Sequence, residues 1–252
     1  NPEVGFLARR NYRRLEGRTA VAYDPKRWDW IRRINPHMSF NAFWNRQDGG
    51  LETFDAHWHA FDIMQSNGGR FGYAFNSAMD RPRQPFTAYS DANGKKVVIP
   101  AGDYSWVQGL LELSTNQSAP LYLSLRQFVG NYYDGDFLGW STSVTMRAGT
   151  QLTASVGWNR DKVSLPYGRF TNDLIPVRMN YSFTRFASID GLLQYNSQAA
   201  TFSSNIRLAL LSRSGTGLFV VYNDLRQTGL PADVFAQTDR QLVVKLNYLI
   251  QK

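Results

Sequence analysis

Asp239–Lys252 reads DRQLVVKLNYLIQK. Leu242, Val244, Leu246, Tyr248 and Ile250 fall on one side of an extended chain, while Gln241, Lys245, Asn247 and Gln251 fall on the other with Val243 and Leu249. A period of two marks a strand, because successive side chains of extended backbone point to opposite faces. The run is roughly ten to twelve residues long, close to what a tilted strand needs to cross a hydrocarbon layer. One oily face and one wet face over that length suit a wall with lipid on one side and water on the other.

The same alternation recurs upstream. Leu152, Ala154, Val156 and Trp158 oppose Gln151, Thr153, Ser155, Gly157 and Asn159; Met179, Tyr181 and Phe183 oppose Arg178, Asn180 and Ser182; Trp140, Val144 and Met146 oppose Ser141, Ser143, Thr145 and Arg147. A slip of one residue would turn each polar face to the apolar side, so the pattern also specifies pairing. It predicts strands near 37–46, 51–65, 69–80, 103–114, 120–130, 137–147, 151–159, 175–184, 187–196, 205–212, 217–224 and 240–251, with a thirteenth near 26–34. The expected fold is all-β: an antiparallel up-and-down meander of about twelve strands forming a transmembrane β-barrel or part of one. Residues 37–252 make the barrel domain, and residues 1–36 a basic lead-in, loop or plug continuous with it.

The connections carry a second signal. Short ones at Thr115–Ala119, Ala148–Thr150, Thr184–Phe186 and Arg213–Thr216 alternate with longer ones at Asn131–Asp136, Arg160–Leu174, Ser197–Ser204 and Leu225–Asp239. Bacterial outer-membrane barrels place short turns at the periplasmic rim and long loops outside the cell. The last strand, descending from a long loop, would then end in the periplasm.

Composition agrees. No stretch of the 252 residues approaches eighteen consecutive apolar positions, so a helical span is excluded. Alternation accounts for a mean hydropathy of -0.39 at 43% hydrophobic content. Aromatics make up 14% and recur near strand ends, as interfacial girdles require. Cysteine is absent, which removes disulfides, thiol catalysis and thiolate metal binding. Asn1 follows no initiator Met, charged n-region or apolar h-region, so a secretion signal is expected outside the chain. The net charge of +8 is spread over strands and turns, clustering only at Arg9, Arg10, Arg13, Arg14 and Arg18. A nucleic-acid partner is therefore not expected.

Chemical signals are sparse. Asp55, His57 and His59 stand at i, i+2 and i+4, hence on one strand face, where two histidines and a carboxylate can share a zinc-like ion. His37 is the only other histidine and can join them only through tertiary proximity. Asp134, Gly135 and Asp136 resemble a fragment of a calcium loop, but the distal ligands are absent and a tight turn accounts for them. Neither a Gly-x-Ser-x-Gly elbow nor a phosphate-binding glycine loop occurs, and neither an organic cofactor nor a catalytic residue is expected. Trp28, Trp30, Trp44, Trp58, Trp106, Trp140 and Trp158 are candidates for sugar stacking and equally for a membrane girdle; alternation assigns Trp140 and Trp158 to the girdle.

Several ordered segments carry a family resemblance: NPEVGFLARRNYRR at the start, IRRINP at Ile31–Pro36, VVIPAGDYSW at Val97–Trp106, SLPYGRFTNDL at Ser164–Leu174, LLQYNSQAATFSSNIRLALL at Leu192–Leu211 and GLFVVYND at Gly217–Asp224. Together the chain resembles the C-terminal outer-membrane β-barrel domain of unknown function found in Gram-negative bacteria downstream of a family-9-like carbohydrate-binding domain. The resemblance implies a signal peptide and a sugar-binding β-sandwich upstream, a later portion of a barrel here, and glycans as the ligand class. It implies no catalytic residue. If strands are missing, closure is in question, because strand number, tilt and shear must agree.

The expected function is passage or binding of glycans or other polar solutes at the bacterial outer membrane, with outer-membrane lipid as the surrounding partner. Arg178, Asn180, Gln194, Asn196, Lys245 and Asn247 are the candidate lumen-facing residues, and the basic excess favours anionic solutes. Two other readings compete. A carbohydrate-active hydrolase needs a pair of acids at the loop rim. A soluble β-sandwich or propeller that binds a partner needs Leu242, Val244, Leu246 and Tyr248 buried in a protein core.

Overall fold

The computed structural model describes residues 11–213, 216–228 and 236–249. Among these are sixteen strands: β1 (Tyr12–Ala20), β2 (Ile31–Ile34), β3 (His37–Asn45), β4 (Leu51–Gln65), β5 (Arg70–Asp80), β6 (Phe86–Ser90), β7 (Lys96–Ile99), β8 (Tyr104–Ser114), β9 (Leu121–Tyr132), β10 (Gly135–Ala148), β11 (Leu152–Leu165), β12 (Gly168–Thr184), β13 (Ala187–Asn196), β14 (Thr201–Arg213), β15 (Thr216–Gln227) and β16 (Ala236–Asn247). Thirteen form one antiparallel meander in the order β1-β3-β4-β5-β8 and then consecutively to β16; β2 pairs beside β4, and β6 and β7 form a separate hairpin.

All twelve strands expected from alternation are present, and the thirteenth shrinks to β2. The additions are β1 and the β6–β7 hairpin. β1 lies inside the segment read as a basic lead-in and pairs along its whole length with β3, from Tyr12↔Asn45 to Ala20↔His37. Its apolar face carries only Leu15 between Gly17 and charged neighbours, so its periodicity is faint in the sequence. The long connections also differ from expectation. Asn131–Asp136 and Arg160–Leu174 are mostly strand, with turns of only Tyr133–Asp134 and Pro166–Tyr167. The expected alternation of connection lengths is not what these hairpins show: their strands overshoot the expected ends, leaving two-residue turns that are shorter than the six residues between β8 and β9.

The sheet is open. β1 and β16 are its two edges and do not pair with each other. What the structure shows is an all-β antiparallel meander, not a closed barrel.

Register sorts the side chains. Leu123, Val144, Val156, Val177 and Leu193 lie opposite one another in turn across β9 to β13. One residue along, Tyr122, Thr145, Ser155 and Arg178 make the corresponding polar row. The apolar face continues to the edge through Leu210, Leu218 and Leu246. No second layer covers it among the described residues: Val156 is 52% exposed, Leu242 65% and Leu246 74%. Among the described residues thirty-three large hydrophobic side chains are exposed against twelve buried hydrophobic residues, an inversion that a contiguous patch in water does not tolerate.

The polar face carries the one compact core found among the described residues. Hairpin β6–β7 folds over it from the connection between β5 and β8. Val97 and Ile99 are fully buried there with Tyr89, Tyr104, Val163 and Leu165, and Trp106, Tyr132, Phe137 and Phe170 pack around them. Tyr89 stacks on Phe170 at 4.4 Å. Gly168 leaves room for this, since a Cβ on it would meet Val97 at 3.1 Å and its φ is +146°. The hairpin tip reaches the β13–β14 turn, where Ala92 N donates to Gln198 O at 3.0 Å and Gln198 Nε2 donates to Ser90 O at 2.9 Å. Asp91 fixes that tip by accepting from the backbone of Asn93 and Lys95.

Tyr133 pins the rim nearby. Its backbone is left-handed, with φ of 50°, a conformation costing a non-glycine residue roughly 1–2 kcal/mol. Packing offsets this: the ring stacks on Trp106 at 4.6 Å and meets Tyr104 and Phe86, and its hydroxyl donates to Asp80 Oδ2 at 2.7 Å. Burial, helped by the Asp80 carboxylate, pushes that hydroxyl far above the usual tyrosine range, so it remains a donor.

Candidate functional site

The β3–β4 hairpin turns at Arg46–Gly50, where Asp48 Oδ1 accepts from Gly50 N and Asn45 Oδ1 from Gln47 N. A turn centred there sets His37 opposite His59, Ser39 opposite His57 and Asn41 opposite Asp55. All six lie on the polar face. Three histidines therefore meet: ring centroids are 4.8 Å apart for His37 and His59, 5.3 Å for His57 and His59 and 5.5 Å for His37 and His57. One nitrogen from each lies within 4.8 Å of the others.

This corrects the expected ligand set. His57 and His59 are in the cluster, but Asp55 is not. Four residues of strand separate Asp55 from His59, roughly 13 Å, more than two ligands of one ion can span. Asp55 instead accepts from Asn41 Nδ2 at 3.0 Å. His37 takes its place, through a register shift between Phe43 and Trp44: next to the turn Trp44 pairs with Leu51, and beyond the shift Phe43 pairs with Thr53 and His37 with His59.

A β-bulge adds what alternation cannot. Between His59 and Phe61 the register with β5 shifts, so Ala60 is an extra residue and Asp62 returns to the face of His59. Asp62 is 5% exposed. It accepts from Arg70 Nε at 2.7 Å and from Asn35 Nδ2 at 3.4 Å, and lies 3.8 Å from His37 Nδ1. Glu112 of β8 lies 3.7 Å from His59 Nε2 and 3.8 Å from Arg70, and pairs with Arg126 of β9 at 2.8 Å. A charged ladder thus crosses β4, β5, β8 and β9 on the polar face. Arg70→Ala leaves the buried Asp62 carboxylate without its cation, and the expected cost is about 3 kcal/mol, measured by denaturant unfolding of the refolded protein. Asp62→Asn together with Arg70→Ala should recover part of that loss.

The six candidate lumen residues all fall on the polar face by register. They do not converge. Asn180 donates to Asp190, which pairs with Arg207 at 3.0 Å. Asn196 is occupied in the β13–β14 turn, accepting from the backbone of Gln198 and Ala199. Lys245 and Asn247 lie three strands away on β16, at least about 14 Å from β13. Neither Arg178 nor Lys245 has an ion pair among the described residues.

On the apolar face Trp140 and Trp158 meet edge to face at 5.3 Å, with the Arg160 guanidinium within 6 Å of both rings. Asp173 accepts from Arg160 Nε and from Trp158 Nε1 at 2.6 and 2.8 Å. Asp134 sits in the β9–β10 turn and accepts from the Tyr167 hydroxyl, a turn contact rather than a calcium loop. Other acids on that rim are also engaged: Asp103 with Arg81, and Asp48 and Glu52 with Arg83.

Against known proteins, this chain matches no protein-family model, no curated protein and no solved structure.

Proposed function

We infer that the chain forms part of the wall of an outer-membrane β-barrel, with its apolar face toward lipid and its polar face lining an aqueous passage for glycans or other polar solutes. One observation carries this reading: a single-layer sheet of thirteen strands with an uncovered apolar face and a polar face rich in Arg, Asn, Ser and Thr. Transfer of that apolar face from water to hydrocarbon is worth tens of kcal/mol, at roughly 1.5–3 kcal/mol for each fully covered side chain. Leu242, Val244, Leu246 and Tyr248 are 61–75% exposed, where a soluble sandwich needs them buried.

The edges fit a wall that is completed elsewhere. With thirteen meander strands, β1 and β16 run in the same direction. An all-antiparallel closed barrel has an even number, so closure takes an odd number of further strands between them. The longer outer-membrane proteins that the chain resembles would supply these upstream. The overshooting rim, with hairpin β6–β7 folded across the polar face, is the outer one, and the hairpin narrows the passage.

Flux into vesicles tests the reading. Full-length protein reconstituted in lipid should admit neutral oligosaccharides, and small anionic sugars faster than cationic solutes of equal size. Vesicles that stay impermeable to all of them would remove the passage function.

A further inference from the structure

We propose that His37, His57 and His59 form a three-histidine site for a borderline divalent transition metal, with zinc the best fit. The tautomers point to it. His37 Nδ1 lies 3.0 Å from the carbonyl oxygen of Asn35, so that nitrogen carries the hydrogen. His57 Nδ1 faces Asn76 Oδ1 at 2.7 Å and donates to it. His59 Nε2 faces the Glu112 carboxylate at 3.7 Å, and a proton there is favoured over a lone pair against an anion. All three outward nitrogens thus face an oxygen acceptor.

With His37 and His57 donating outward through Nδ1, their Nε2 atoms are lone pairs, and His57 Nε2 lies against His59 Nδ1, while one ligand atom from each of the three rings lies within 4.8 Å of the others. One cation shared by the three rings satisfies these nitrogens together, where a proton shared by His57 and His59 serves only two of them. The separation of His57 Nε2 from His59 Nδ1 is 3.3 Å, about what two nitrogens take on a tetrahedral ion with bonds near 2.0–2.1 Å. His37 needs only a small ring movement to join them.

The surroundings are those of a metal site. Asn35, Asn76 and Glu112 supply the second ring of acceptors that orient ligating imidazoles. His59 Nε2 is buried with no hydrogen-bond partner at its present distance, and drawing Nδ1 onto an ion would turn the ring edge toward Glu112. Gly72 holds the space: a Cβ there would stand 2.7 Å from His59 Nε2 and 3.2 Å from Glu112. The all-nitrogen donor set without thiolates favours Zn2+, Co2+, Ni2+ or Cu2+ over Mg2+ or Ca2+. Three protein ligands leave a fourth position for water or a solute group.

Cobalt titration of the full chain, folded in detergent and freed of metal, is the test. The expected result is one tetrahedral Co2+ per chain by its visible d–d spectrum, displaced by equimolar Zn2+. Asn76→Ala and Glu112→Gln should weaken binding by about 10–100-fold while the circular dichroism stays that of wild type. His57→Ala should abolish the spectrum. Because a histidine variant can fail to fold, zinc protection of the wild-type histidines against acylation gives a second readout, with three of three protected. An octahedral or absent cobalt spectrum, unprotected histidines, or undiminished binding by the triple variant His37→Ala, His57→Ala, His59→Ala would each overturn the site. None of these outcomes depends on solute passage.

Discussion

Val156→Arg is expected to cost about 2–4 kcal/mol of folding into a bilayer, while Ser155→Arg, one residue away, costs under about 1 kcal/mol. The contrast follows from the pleat. Val156 lies between Val144 and Val177 in the middle of the apolar row, and Ser155 lies between Thr145 and Arg178 on the other face. A guanidinium at 156 must be dragged into hydrocarbon or snorkel to the interface; at 155 it meets water and polar neighbours. Reversible urea unfolding in lipid vesicles reads both values. Equal penalties at the two positions would mean that both faces share one environment, and the two-sided wall would fail.

Ile99→Asp should release hairpin β6–β7 while leaving the sheet in place. Ile99 has no exposed surface and is held by Tyr89, Tyr104 and Leu165. The substitution loses roughly 2–3 kcal/mol of apolar burial and would add an unpaired buried charge if the hairpin stayed docked. At about tenfold per 1.4 kcal/mol, the undocked population rises by about 100-fold or more. Trypsin cleavage at Lys95 and Lys96, at the hairpin tip, should accelerate accordingly, and flux of oligosaccharides into vesicles should rise as the passage widens. The strand signal in circular dichroism should not change, because the thirteen meander strands pair without the hairpin. Loss of strand content would make the hairpin part of the structural core rather than a folded-in constriction.

Long strands with strict alternation were legible because a period of two is written once per residue pair and repeated over ten or more positions. β10, β11 and β12 are of this kind, and their hydrophobic sides were assigned correctly down to Trp140 and Trp158. What failed to show was local and short. β6 and β7 have five and four residues, too few for a period, and their burial comes from partners on β8 to β12 that only folding brings near. β1 hides its apolar face behind Gly17 and four charged residues. The overshoot at Arg160–Leu174 was obscured because Asp161, Val163 and Leu165 change from polar to apolar along a single face, where the hairpin settles on it.

The histidine cluster divides in the same way. That His57 and His59 share a face is strand geometry. His37 joins only through the register shift between Phe43 and Trp44, because a regular turn at 47–50 would pair it with Ala60 and place it on the other face. Asp62 was hidden as well, since its place depends on the bulge at Ala60, and nothing in LETFDAHWHAFDIMQ distinguishes the extra residue from a regular one. Glu112 and Arg126 join only through the pairing of β5 with β8, which skips a connection of 23 residues between Asp80 and Tyr104.

The chain contains no cysteine, so single cysteines can be introduced and spin-labelled without background. Labels at each position from 152 to 158, in full-length protein reconstituted into bilayers, give the most direct test of a sheet with lipid on one side and water on the other. Positions 152, 154, 156 and 158 should be relaxed by oxygen dissolved in the acyl chains, and 153, 155 and 157 by a water-soluble nickel complex. If the nickel complex reaches both sets equally, or the protein stays out of the bilayer, the apolar face does not meet lipid and the account is contradicted.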